Sequence, residues 1–214
     1  MDIRFALVQA FVFFFAITVH EAAHAWTANR LGDPTAAALG RASLNPLAHI
    51  DLFGTIILPV LLYIAKQPIF GWAKPVPYNP NNLRHPRRGG LWISFAGPIA
   101  NILTAAAAVL VYQVLKAVGA GVPVTSMWSK PLGGLANILF VTAVINISLA
   151  VFNLIPIPPL DGSGILAGLL SERAAVRYER LRPYGFLILI ALMYTNLLNV
   201  VFAPVQKLIV RLFT

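Results

Sequence analysis

The sequence contains no cysteine. That excludes a disulfide framework, a thiolate nucleophile and any thiolate-held metal. It is almost as poor in acid, with seven Asp and Glu against 16 Lys and Arg in 214 residues. Charged residues make up 11% of the chain, where a soluble domain carries about a quarter. No internal repeat and no low-complexity tract is present, and no stretch is long enough for an appended soluble domain, so residues 1–214 read as a single domain. What remains is apolar: 58% hydrophobic residues and a mean hydropathy of +0.77. This is the composition of an all-α polytopic membrane protein. The formal charge of +9 is not taken as a nucleic-acid footprint, because in a membrane chain Lys and Arg set orientation.

A spanning helix needs about 20 mainly apolar residues. Four segments qualify, approximately 5–29, 91–115, 134–156 and 185–206. A further apolar stretch, 52–65 ("LFGTIILPVLLYIA"), is shorter and contains Gly54 and Pro59. It is expected to be a re-entrant or interfacial piece, with a short tilted span as the alternative. The 66–90 loop is rich in Pro, Asn and Arg, and "WAKPVPY" within it is expected to be extended, a small β element, because residues before proline are pushed toward β geometry. A cleavable signal peptide is not expected, since the first apolar segment lacks a small-residue cleavage site before His20.

Lys and Arg are unevenly shared between the two sides that four spans define. The loops 30–90 and 157–184 hold eleven of them, and the opposite side holds Arg4, Lys116, Lys130, Lys207 and Arg211. The positive-inside rule places the two rich loops in the cytoplasm and both termini outside. A full crossing by 52–65 would scramble this asymmetry, which favours the re-entrant reading.

With so few ionisable groups, those inside a span stand out. "TVHEAAHAW" (Thr18–Trp26) follows an uncharged run and carries His20, Glu21 and His24. The histidines are i and i+4, so on a helix they share a face. Two ring nitrogens at that spacing can bind one zinc, and the adjacent Glu21 can activate a water. Such strings also occur in soluble helices with no metal, but an ionisable residue within a span is a functional hypothesis by default. A catalytic zinc takes a third protein ligand. Asp161, in "FNLIPIPPLDGSG", is the best placed, because the first and third spans both end in the cytoplasm and bring it to the depth of the histidines. The plainer reading of Asp161 is a turn or helix cap. His49 and Asp51 in "LNPLAHID" form a rival pair that an interfacial turn also explains. "FAGPIAN" places Gly97 and Asn101 on one face of the second span, as small-residue helix packing does. Asn146 and Asn153 share a face of the third. Asn153 either donates to an oxyanion or satisfies backbone carbonyls freed by Pro156, Pro158 and Pro159.

"HEAAH" in the first span, "FAGPIAN" in the second and "NLIPIPPLDG" after the third together resemble the site-2 protease family of intramembrane zinc metalloproteases. "LGDPTAAALGRASLNPLAHIDLFGTIILP" and "FGWAKPVPYNP" are similar to its compact prokaryotic branch lacking PDZ and CBS domains. The resemblance covers about Val8 to Gly164. It implies one Zn2+ per chain held by His20, His24 and Asp161, with Glu21 as general base and Asn153 as a hydrogen-bond donor to the transition state. It further implies cleavage within or near transmembrane segments of membrane-protein substrates, in a prokaryotic cytoplasmic membrane. Some relatives have an extra span before the HExxH helix; here only 19 residues precede His20, so shielding of the outer face would fall to other elements or to a homo-oligomer.

On this reading Glu21 takes a proton from water and passes it to the leaving amine. A substrate helix must unwind first, since its peptide groups are locked in intrahelical bonds. "WAKPVPY" either receives the unwound strand by β-addition or is a loop with basic anchors to lipid headgroups. The competing function is a metal-ion or proton transporter using His20, His24 and Asp161. That requires polar groups through the whole membrane depth, whereas here they gather in one half.

Overall fold

Helix α1 (Ile3–Arg30) is long enough to cross a bilayer, at roughly 1.5 Å per residue against an apolar core about 30 Å thick. The computed structural model describes residues 3–66, 71–119, 129–195 and 197–214, and among these all regular structure is helical. α1 ends in a turn that Gly32 makes in the left-handed region, φ 106°. Gly32 N–H reaches Asn29 O and Asp33 N–H reaches Ala28 O, at 3.2 and 2.9 Å. That pair of bonds is the Schellman closure, which satisfies the last carbonyls of a helix.

A one-turn helix, α2 (Thr35–Ala38), and a 3-10 turn (Pro46–Ala48) follow. The apolar stretch after them begins as a π-helix over Leu52–Ile57 and continues as α3 (Leu58–Ile64). Its side chains are largely exposed, and its length of about 20 Å is too short to cross an apolar core unaided. Residues 71–79 form no helix or strand, and their N–H groups at 72, 74 and 76 are bonded at alternate positions as in an extended segment; the expected β element in the 66–90 loop is therefore a single unpaired segment, with 67–70 outside the described residues.

α4 (Pro86–Gly119) and α5 (Ser129–Asn153) are the other two helices long and apolar enough to span. Both begin earlier than hydropathy suggests, because a helix ladder continues through Arg87 and Arg88 in α4, and through Ser129 and Lys130 in α5, as it does through apolar residues. α5 stops at Asn153, short of Pro156. Then come α6 (Asp161–Leu169) and α7 (Glu172–Glu179). The expected fourth span, 185–206, is divided into α8 (Gly185–Met193) and α9 (Leu197–Phe213). Between them Thr195 Oγ1 donates to Leu192 O at 2.9 Å, a local bond that competes with the ladder.

α4 is the hub and packs against α1, α5, α6 and α9. The contacts use small residues, as expected where lipid removes the hydrophobic drive between helices. Ala16, Ala22, Ala25 and Ala28 are buried on α1, and Ala105, Ala108, Ala143 and Ile209 join α4, α5 and α9. α4 also holds the C-terminal end of α9: Tyr112 Oη, Gln113 Nε2 and Lys116 Nζ donate to the carbonyls of Phe213, Leu212 and Thr214, at 2.6, 2.5 and 2.5 Å.

Candidate metal centre

His20 and His24 lie one turn apart on α1, with ring centroids 4.7 Å apart and planes at 85°. Both are buried. Each ring is fixed through Nδ1. His20 Nδ1 meets Asn101 Oδ1 at 2.5 Å, and His24 Nδ1 meets Ile93 O at 2.6 Å. The amide of Asn101 cannot be reversed, because its Nδ2 donates to Ala16 O at 3.0 Å and to Asn146 Oδ1 at 2.8 Å. Asn146 is fixed in turn by donating to Thr142 O at 2.9 Å. Both acceptors therefore require a proton on Nδ1, and in the neutral ring that leaves Nε2 as the lone-pair atom.

Those lone pairs point at Asp161. Its Oδ2 lies 2.9 Å from His20 Nε2 and 3.3 Å from His24 Nε2, yet it is buried with no hydrogen-bond partner. Asp161 is the first residue of α6, and the N-cap position is held by Leu160, so Asp161 is not itself the cap. The ligand atoms of the three residues all lie within 4.8 Å of one another. Three lone-pair donors facing one another, one an unmatched buried carboxylate oxygen, are what a bound cation satisfies. Two imidazoles and a carboxylate are the donor set of a catalytic zinc site, with a fourth position for water.

The cradle depends on close approach. A Cβ at Gly97 would sit 2.5 Å from His24 Nε2 and 2.6 Å from His20 Nε2, so only glycine lets α4 pass behind the rings. Gly164 and Gly168 do the same for α6, where a Cβ would collide with Ser94 and Leu91 of α4. α1, α4 and α6 are thereby drawn together around the trio.

Glu21 is half-buried beside the trio, and its Oε2 accepts the Val76 N–H at 3.2 Å. That donor belongs to the extended segment 71–79. The segment is tied down at alternate residues, Trp72 N–H to Gly54 O at 3.1 Å and Lys74 N–H to His49 O at 2.9 Å. Beyond it Asp33, fully buried, accepts Asn79 N–H and Asn82 Nδ2, both at 2.7 Å, and Thr35 N–H at 3.2 Å and Oγ1 at 2.5 Å. Burial pushes the Asp33 carboxyl up, but the bonds from Thr35, Asn82 and Asn79 outweigh it and hold the group below its ordinary value.

His49 and Asp51 are absent from the metal group. His49 Nε2 faces Ser43 O at 2.8 Å, and Asp51 caps the π-helix by accepting Gly54 N–H at 2.7 Å. Asn153 donates its Nδ2 to Leu149 O at 3.0 Å, within its own helix. Asn101 proves to be the residue that orients His20. Sequence reasoning missed Asn146 as its support, Ile93 O as the partner of His24, and Val76 N–H. Ile93 stands four residues before Gly97 on one helix face, a signal that was available; a backbone N–H carries none.

Residues 8–195 match Peptidase family M50. The chain belongs to this family. It is 35% identical over 189 residues to a Bacillus subtilis (strain 168) protein named "Putative zinc metalloprotease YwhC", covering 88% of this chain and 81% of that one. It is 32% identical over 184 residues to "Putative zinc metalloprotease Rip2" of Mycolicibacterium smegmatis (strain ATCC 700084 / mc(2)155), covering 86% of this chain and 65% of that protein. No solved structure matches the chain. As an M50 peptidase the chain is a membrane-embedded zinc metalloprotease, and among the described residues His20, His24 and Asp161 form a group that can hold Zn2+.

Proposed function

We propose that the chain is an intramembrane endopeptidase of the HExxH type, cleaving membrane proteins within or near their transmembrane segments in regulated intramembrane proteolysis. The observation that carries this is the trio itself: two imidazoles with fixed tautomers and an unmatched buried carboxylate, built where three apolar helices meet.

His20, His24 and Asp161 would hold the metal; when bound, zinc acts as a Lewis acid toward the peptide carbonyl and acidifies water. Glu21 is the general base. Val76 N–H engages Oε2, leaving Oε1 to take the proton from water and then give it to the departing amine. Asn153, at the end of α5, exchanges its bond to Leu149 O for one to the developing oxyanion.

The substrate must present an unwound peptide. Along 71–79, the N–H groups of residues 72, 74 and 76 face the protein. The alternate residues are Ala73, Pro75 and Pro77, and the two prolines have no N–H. The outward edge therefore offers carbonyl acceptors, and an extended substrate would pair there chiefly by donating its own N–H groups. The Lys and Arg distribution orients the chain with residues 30–90 and 157–184 in the cytoplasm of a prokaryotic cell, so the site lies toward the cytoplasmic half of the membrane. The natural substrates on this reading are single-span proteins or signal-peptide remnants.

The test is metal analysis combined with cleavage of a transmembrane substrate by reconstituted protein. Wild type is expected to bind one zinc and cleave. Glu21→Gln keeps the zinc and loses cleavage; Asp161→Ala loses both. Cleavage by Glu21→Gln would remove Glu21 from the mechanism. Transport of metal by a chain unable to cleave would favour the transporter reading, against which family membership already weighs.

A further inference from the structure

A second site lies outside the protease machinery, where the end of α1 meets the start of α4. A cavity of about 430 Å3 is lined by Arg30, Arg84, His85 and Arg88, with Leu83 and Gly89 among its apolar walls. It carries no acidic lining residue. The three arginines are exposed, and their side chains make no hydrogen bond or ion pair among the described residues. Asp33 is close in sequence, but its oxygens are taken up by Thr35, Asn79 and Asn82.

This basic cavity adjoins a second, apolar one of about 590 Å3, with Arg30, Leu31 and Trp92 in the lining of both. The second runs along the crevice between α1 and α4, lined by Trp26, Phe95, Ile99, Ala100 and Leu103. Its only charged lining residue is the shared Arg30. The arginines stand at the ends of the two spans, Phe5–Arg30 and Pro86–Gly119. Trp26 and Trp92 are exposed beside them, as tryptophans are at the boundary between headgroups and acyl chains. Charge and shape thus agree: a cationic cup at the ends of the two spans adjoins an apolar crevice that follows them.

We propose that this compound cavity binds one anionic glycerophospholipid, its phosphate on Arg30, Arg84 and Arg88 and an acyl chain between α1 and α4. A free anion would leave the apolar channel without an occupant. A lipid without a phosphate would leave three guanidinium groups unpaired, and a zwitterionic one would bring its own cation among them. The site is independent of the peptidase reading and requires only that α1 and α4 span the bilayer. Its floor joins the catalytic layer, since Leu83 packs with Ala28 and Ile93, and Ile93 O orients His24.

The full chain in detergent micelles can be titrated with dioleoylphosphatidylglycerol, dioleoylphosphatidylcholine or inorganic phosphate and read by native mass spectrometry. Phosphatidylglycerol is expected to bind at one per chain with clear preference over phosphatidylcholine, and inorganic phosphate should not displace it. Arg84→Ala with Arg88→Ala is expected to weaken it by about fivefold per arginine, the scale of one basic contact to an anionic headgroup. Arg177→Ala with Arg180→Ala, an equal loss of charge elsewhere, should leave it unchanged. Ala100→Phe, which fills the channel, should weaken phosphatidylglycerol without creating a preference for phosphate. Equal binding of the two lipids, or equal loss in both double variants, would overturn the proposal. Displacement by phosphate would make the cup a free-anion site. If Ala100→Phe raises KM for a transmembrane substrate while lipid binding is unchanged, the channel belongs to the substrate helix and the proposal also fails.

Discussion

Asn146 touches no ligand atom, yet two hydrogen bonds connect it to the tautomer of His20. Removing it frees one Asn101 N–H, whereas removing Asn101 takes away the acceptor that keeps the proton on Nδ1. Asn101→Ala should therefore lower zinc affinity by about 10- to 100-fold, the usual cost of losing a partner of a ligating histidine. Competition with a fluorescent chelator measures it, and Asn146→Ala should show a smaller loss. Gly97→Ala tests the cradle differently. Its Cβ would occupy the space beside both Nε2 atoms, so zinc stoichiometry should fall well below one even if the helices still assemble. Full zinc loading in Gly97→Ala would show that α4 can withdraw from the rings.

At the scale of elements, the extended segment 71–79 is held by fixed points rather than by a sheet. Gly54 and His49 hold one end, Asp33 the other, and Glu21 meets it between them. Asp33→Asn replaces a carboxylate oxygen with an amide that faces donors. It should destabilise the fold by about 1–3 kcal/mol at neutral pH, the cost of leaving a buried hydrogen-bonding group unmatched. It should also raise KM for an extended substrate while zinc binding persists. The pH dependence has a definite sign. The carboxyl of Asp33 is held below its ordinary value in the folded chain, so its contribution is present above the unfolded value of about 4 and is lost as pH falls through the folded one. The stability gap between wild type and Asp33→Asn, followed by thermal melts from pH 7 to pH 3, should narrow at the acid end.

At the scale of the whole molecule, the metal group joins α1 to α6, two elements that otherwise meet through α4. A ligand bound only by the folded state stabilises it by RT ln(1 + [L]/Kd), about 4 kcal/mol at a thousandfold excess over Kd. Chelation should accordingly lower the melting temperature of wild type markedly and leave Asp161→Ala almost unmoved, as scanning calorimetry in detergent would show. An equal shift in both would mean that zinc stabilises the chain elsewhere.

The sequence by itself determined the material and the chemistry. Apolar runs long enough to cross a bilayer mark the spans, and the i, i+4 histidines with Glu21 mark the zinc, because composition and helical periodicity are local properties. Asp161 was legible for a related reason: charge counting led to the expectation that the first and third spans end at one depth, and the structure brings Asp161 to the two histidines. Only the tertiary structure decided the rest. It divided 185–206 into two helices, sent His49 and Asp51 to structural duties, placed Val76 N–H on Glu21, and made Asn101 and Asn146 the support of His20. The contacts among these depend on which polar group, backbone or side chain, stands a few ångströms from a side chain more than 40 residues away or on a neighbouring turn. Hydrogen bonds are short and directional, and no pattern along the chain records where two remote peptide groups will meet.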